Sequence, residues 1–136
     1  MKIKKIAHLG VAVQDLESAM KFFTEDLPLE VTHTEDYQGM KIAFIPIGDS
    51  SVELLQDVSG ASAIRKFLDK NGEGIHHIAY EVDDINEAIS ELKAKGVKLI
   101  DEKPRQGAHG MSVAFMHPKA THGILMELCQ PSEEKH

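Results

Sequence analysis

Apolar residues alternate with small or polar ones at two distant places in the chain, and each alternation gives way to a helical spacing. In HLGVAV (residues 8–13), Leu9, Val11 and Val13 share one face of a strand, and His8, Gly10 and Ala12 share the other. In HHIAYEV (residues 76–82), Ile78, Tyr80 and Val82 oppose His77, Ala79 and Glu81. The apolar residues that follow recur at i, i+3, i+4 and i+7: Leu16, Ala19, Met20 and Phe23 after the first strand, Ile85, Ala88, Ile89 and Leu92 after the second. Each set is the stripe of an amphipathic helix that can cover the bulky face of its strand. Asp15 and Asp83 or Asp84 stand where N-caps belong, and Gly96 where a helix would close.

The two stretches are copies. HLGVAVQDLESAMKFF aligns with HIAYEVDDINEAISEL at an offset of 69, so His8 falls on His77 and Asp15 on Asp84. GMKIAF then aligns with GMSVAF at an offset of 71, and VELLQ with MELCQ at 74. The offset grows only between matched segments, as it does when loops lengthen in one copy of a duplication. Each copy reads as strand, helix, then three strands: EVTHTE, MKIAFIP and SVELLQ in the first, VKLID, MSVAFMHP and GILMELCQ in the second. VSGASAIRKFLDKNGEG joins them, with a short helix marked by Ile64, Phe67 and Leu68. One domain over residues 1–136 is predicted: module one at about 1–58, a connector at about 59–74, and module two at about 75–131.

The face opposite each helix is unusual. It carries a histidine beside Gly10 and Ala12, or beside Ala79, where a core would use large side chains. The last strand of each copy points a glutamate to that same face, Glu53 opposite Val52 and Leu54, Glu127 opposite Met126 and Leu128. A carboxylate inside an apolar strand is costly unless it is paired, protonated or bound to a metal. His8, Glu53, His77 and Glu127 therefore form the candidate ligand set for one divalent metal ion. Nitrogen and oxygen donors without thiolate suit Co²⁺, the first choice, or Ni²⁺, Mn²⁺ or Zn²⁺. Parity separates the histidine pair: His77 shares its face with Ala79, and His76 points the other way or sits at the strand mouth.

Composition narrows the classes. The net charge of −7 argues against a nucleic-acid binder. The single cysteine, Cys129, excludes an intrachain disulfide and a cysteine-based zinc motif, and it fits a reducing cytosol. The apolar run at the N-terminus is too short for a secretory signal and no segment approaches transmembrane length, so a cytoplasmic protein without membrane attachment is expected.

The segments IAHLGVAVQDLESAMKFF, SAIRKFLDKNGEGIHHIAYEVDDI, LKAKGVKLIDEKPRQGAHG and VAFMHPKATHGILMELCQ resemble the vicinal oxygen chelate superfamily, and within it the methylmalonyl-CoA epimerase family. The HHIA–VDDI stretch, the GAHG loop and the HPK–GILMEL stretch carry the specific part. The resemblance implies an α+β fold in which two tandem βαβββ modules form an eight-stranded, cup-shaped sheet around one metal, and a homodimer. It supports His8, His77 and Glu127 as ligands; Glu53 stands where some epimerases have Gln and others Glu. It implies epimerisation of an acyl-CoA thioester at C2 through a metal-stabilised enolate, which needs a base on each face. Some bacterial epimerases carry a catalytic Glu at the position of Ile42, and isoleucine cannot move a proton. Glu127 and Glu53 are therefore the candidate catalytic bases.

Lys119 and Arg105 are candidate contacts for a substrate carboxylate or CoA phosphate, and the loop from Gly107 to Gly110 is a candidate substrate-binding segment. His109, His117 and His122 would line an entrance without ligating, and His33 and His136 are read as surface residues. A glyoxalase I type lactoylglutathione lyase would use almost the same ligands, and a non-catalytic binding protein of the same fold is the third alternative.

Overall fold

In the computed structural model, residues 1–132 are described. They divide into two compact units, His8–His76 in one, and Met1–Ala7 with the chain from His77 onward in the other. The boundary falls inside the first strand, β1 (Ile3–Ala12). Its leading residues belong with the second module because they are tied there. The Met1 ammonium donates to Glu91 at 2.6 Å, and the Lys2 amide donates to Asp83 at 3.1 Å.

In the first unit, β2 (His33–Tyr37), β3 (Met40–Ile47), β4 (Ser50–Asp57) and β1 pair in the order β2-β3-β4-β1. β4 lies antiparallel to β3 and parallel to β1. Helix α1 (Leu16–Lys21) begins after Asp15, whose carboxylate accepts the Glu17 amide, and runs on as a wider turn over Phe22–Asp26. The predicted stripe packs as expected: Val13, Leu16, Ala43, Ile45 and Leu54 form the core, with Val11, Ala19, Met20 and Phe23 against it. Helix α2 (Ala63–Asn71) fills the connector. Its N-cap Ser62 donates to Asp57 at 2.6 Å, and Asp57 also accepts the amides of Gly60 and Ser62. These bonds, Ser62 first, hold the Asp57 carboxyl below its ordinary range.

In the second unit, β5 (Gly74–Val82), β8 (Met126–Pro131), β7 (Met111–Met116) and β6 (Arg105–Gln106) follow in the order β5-β8-β7-β6. Helix α3 (Ile85–Ala94) starts at Asp84, which accepts the Glu87 amide, and Gly96 follows its end with φ +77°, a conformation that favours glycine. Val82, Ile85, Ala88, Ile89, Ala114 and Leu128 form the core on the helix side. Ala79, Val113 and Cys129 pack together on the opposite face.

Two expectations shift. The strand predicted at VKLID is an irregular stretch with a single bridge, Leu99 to Met116. The amides of Ile100 and Asp101 both donate to the Phe115 carbonyl, so one partner faces two residues and regular pairing stops. Pairing with β7 resumes at Arg105–Gln106. In the first module the corresponding strand starts at His33, three residues later than EVTHTE suggests.

Candidate functional site

Period-two geometry puts the four candidate ligands on the non-helix faces of their strands, and all four are nearly buried: His8 at 8% exposed, Glu53 at 9%, His77 at 6% and Glu127 at 5%. In the first unit, His8 Nδ1 lies 3.0 Å from Glu53 Oε2. In the second, His77 Nε2 lies 3.6 Å from Glu127 Oε1, inside ion-pair range but too long for a hydrogen bond. The same pair thus occurs in both modules, at positions matched by the repeat.

The strand registers explain why. Glu53 stands between Gly10 of β1 and Phe44 of β3, and Glu127 between Ala79 of β5 and Phe115 of β7. On one side of each carboxylate stands a small residue, and on the other a phenylalanine. The Phe115 ring meets the His77 ring edge-on, with centroids 5.7 Å apart and planes at 80°. The Phe44 ring stacks flat on His33, 4.3 Å away. Neither phenylalanine stood out in the sequence, although both lie in the GMKIAF and GMSVAF repeat.

Burial, and then the charge of Glu35, push the Glu53 carboxyl up to about 8. Ile42 is 2% exposed and pairs with Leu55, so it lies on the same face as Glu53 and offers no proton carrier there. Glu35 of β2 stands directly across from Ile42. An imidazole with a buried carboxylate is a donor pair that suits a divalent transition ion. The raised proton affinity of Glu53 marks a carboxylate whose charge is poorly compensated, which a bound cation would correct. The residues present fit a metal.

His76 turns away from His77, as parity requires. Its ring packs edge-on against Phe67 of α2, centroids 5.1 Å apart, and burial lowers its pKa.

A second repeated device went unread in the sequence. Gln56 follows Glu53 by three residues and accepts the Leu16 amide at 2.6 Å. Gln130 follows Glu127 by three and accepts the Ile85 amide at 2.8 Å, while donating to the Asp83 carbonyl at 2.9 Å. Each glutamine ties the strand that carries the glutamate to the first turn of its module's helix. The signal was present in VELLQ and MELCQ.

The substrate-binding candidates are spread out. Arg105 is on β6, its Nε donating to Asp101 at 3.2 Å and its guanidinium carbon 5.4 Å from the Phe115 ring centre. Gly107 is buried, and a Cβ there would come within 2.7 Å of Val113, so close packing explains the glycine. Gly110 is exposed with φ +68°. Lys119 lies exposed in the turn Pro118–Ala120, where its amide donates to His117. His33, His109 and His122 are exposed and His117 is half-buried; His136 lies outside the described residues. Among the described residues no helix is long and apolar enough to cross a membrane.

Paired βαβββ modules with a buried His–Glu pair in each define a class. The chain matches the Glyoxalase/Bleomycin resistance protein/Dioxygenase superfamily over residues 7–115 and belongs to it. An ethylmalonyl-CoA/methylmalonyl-CoA epimerase of Cereibacter sphaeroides is 40% identical over 132 residues, 94% of this chain and 98% of that one. The human mitochondrial methylmalonyl-CoA epimerase is 39% identical over 129 residues, 93% of this chain and 73% of the relative. A variant of the Streptomyces coelicolor methylmalonyl-CoA epimerase, solved with 2-nitronate-propionyl-CoA, matches at a TM-score of 0.92 and 35% identity, with 99% of each chain covered. The eight-stranded fold expected from the resemblance is therefore the fold of this chain.

Proposed function

We propose that the protein is a metal-dependent methylmalonyl-CoA epimerase. The observation that carries this reading is the buried His–Glu pair repeated in both modules, in a chain 40% identical to a named epimerase over 94% of its length. His8, Glu53, His77 and Glu127 would together hold one divalent ion, cobalt before nickel, manganese or zinc. When bound, it would supply Lewis-acid stabilisation of the negative charge that develops on the substrate oxygens.

The C2 proton of the substrate lies between a thioester carbonyl and a carboxylate, so the carbanion left by its removal is delocalised. Inversion takes that proton from one face and returns one to the other, which requires two proton carriers. Glu127 and Glu53, one from each module, are the candidates, and Ile42 leaves no carboxylate of its own. A carboxylate that would hold the ion could also accept or return a proton, so the two roles are compatible. Arg105 and Lys119 are the candidate contacts for the anionic groups of an acyl-CoA, and the loop from Gly107 to Gly110 a candidate substrate-binding segment. We place the enzyme in the cytoplasm, in line with its single cysteine, Cys129, and take it as a homodimer, as the resemblance implies.

The test is incubation of metal-loaded protein with single-epimer methylmalonyl-CoA in D₂O. Epimerisation with deuterium at C2 supports the reading. Absence of exchange, together with turnover of methylglyoxal plus glutathione, overturns it in favour of a lactoylglutathione lyase.

A further inference from the structure

We infer that Asp101 is a positioning residue that fixes Arg105 on the face of the second module bearing His77 and Glu127, so that Arg105 receives an anionic group of the substrate. The inference rests on the acyl-CoA reading above.

Strand register sets the face. Arg105 pairs with Val113, and Val113 with Cys129, two residues from Glu127, so the side chains of all four emerge on one side of the sheet. The Arg105 guanidinium lies over the ring of Phe115, which itself pairs with Glu127 and touches His77 edge-on. One aromatic ring therefore separates the cation from the His–Glu pair.

Asp101 holds both halves of this arrangement. Its Oδ1 accepts from Arg105 Nε at 3.2 Å, and its Oδ2 accepts the backbone amide of Phe115 at 2.9 Å. The carboxylate is anchored to the strand whose ring it helps to cover. An exposed ion pair between two mobile side chains contributes little. This one differs, because the Asp101 side chain is only 17% exposed and is bound to the backbone, and the guanidinium rests on an aromatic face. The Arg105 side chain is 40% exposed.

The ring across from Glu53 is stacked on an imidazole, His33. The two modules differ here, so an anionic group of the substrate belongs with the second module. A chain of net charge −7 needs such a local cation to receive a polyanion. A guanidinium fork suits a carboxylate and a phosphate equally. An acyl-CoA with a free acid presents both.

Two substrates separate the sources: methylmalonyl-CoA, and methylmalonyl-pantetheine, which keeps the carboxylate and lacks every phosphate. Arg105→Gln is expected to raise KM about tenfold, the loss of one charged hydrogen bond, with kcat far less affected. A rise for both substrates assigns Arg105 to the carboxylate; a rise for the CoA thioester alone assigns it to a phosphate. Asp101→Asn keeps an acceptor for the Phe115 amide and removes the charge, and it should raise KM for the same substrates. In the double variant the effects should not add, because both changes remove one device. Additive effects, or an Arg105→Gln enzyme with unchanged KM for both substrates, overturn the inference; the exposed Arg105 variant gives this answer even where Asp101→Asn fails to fold. Wild-type protein without turnover overturns the epimerase reading itself, a result distinct from active wild type with unaffected variants.

Discussion

Nδ1 of His8 and Oε2 of Glu53 lie 3.0 Å apart inside the first module, on neighbouring parallel strands. The contact is diagonal, since His8 is registered with Ser51 and Glu53 with Gly10. Burial leaves that carboxylate reluctant to ionise.

Stability of the metal-free protein should follow from that reluctance. Glu53 is pushed up from 4.5 to about 8, so between those values the folded state keeps a proton that the unfolded chain has lost. The contribution is fully present below about 4.5 and is lost as pH rises to about 8. In chelator, the unfolding free energy from urea denaturation should fall from pH 5 to pH 8, by at most about 1.4 kcal/mol per pH unit from this group. Glu53→Gln should flatten the slope while weakening metal binding; an unchanged slope in the variant would count against the assignment.

The two adjacent histidines should behave oppositely. His77→Ala should abolish retention of a divalent metal, measured by elemental analysis after dialysis. His76→Ala should retain the metal and lose stability instead, because its ring packs on Phe67. The reverse result would refute the facial assignment.

Asp57 predicts an acid-side effect. Its carboxyl is depressed by the Ser62 hydroxyl and nearby amides, so its contribution is present above the ordinary value of 3.8 and is lost as pH falls through the depressed folded value. Asp57→Asn should be less stable at pH 7 and should lose less than wild type on going to pH 3. Equal acid losses in chemical denaturation would show that the cap does not carry the effect.

Gln130→Ala removes the acceptor of the part-buried Ile85 amide. Chemical denaturation should show a loss of about 1–2 kcal/mol, as for an amide left without its partner. Gln56→Ala should do the same through Leu16, and a loss in one module only would break the equivalence of the two ties.

Much of the fold was legible because a duplicated chain states its pattern twice. The helix stripes, a cap at Asp15 and one at Asp83 or Asp84, and the separation of His76 from His77 all follow from period and repeat; the structure puts the second cap at Asp84. Local chemistry was also enough to pick out Glu53 and Glu127, since a carboxylate in an apolar strand needs a reason to be there. The VKLID stretch has the apolar spacing of a strand, while the doubled hydrogen bond at Phe115 that interrupts it depends on a partner outside the stretch.

What the sequence by itself determined was which face each residue occupies, because that depends only on the backbone repeat of two or 3.6 residues. What the tertiary structure decided was which residues stand side by side. Phe44 beside Glu53, Phe115 beside Glu127, the glutamine ties, and the Asp101 grip on Arg105 and Phe115 all arise from strand register or from chain reversals. Register is set by the packing of whole strands and the lengths of the loops between them, and no local spacing encodes it.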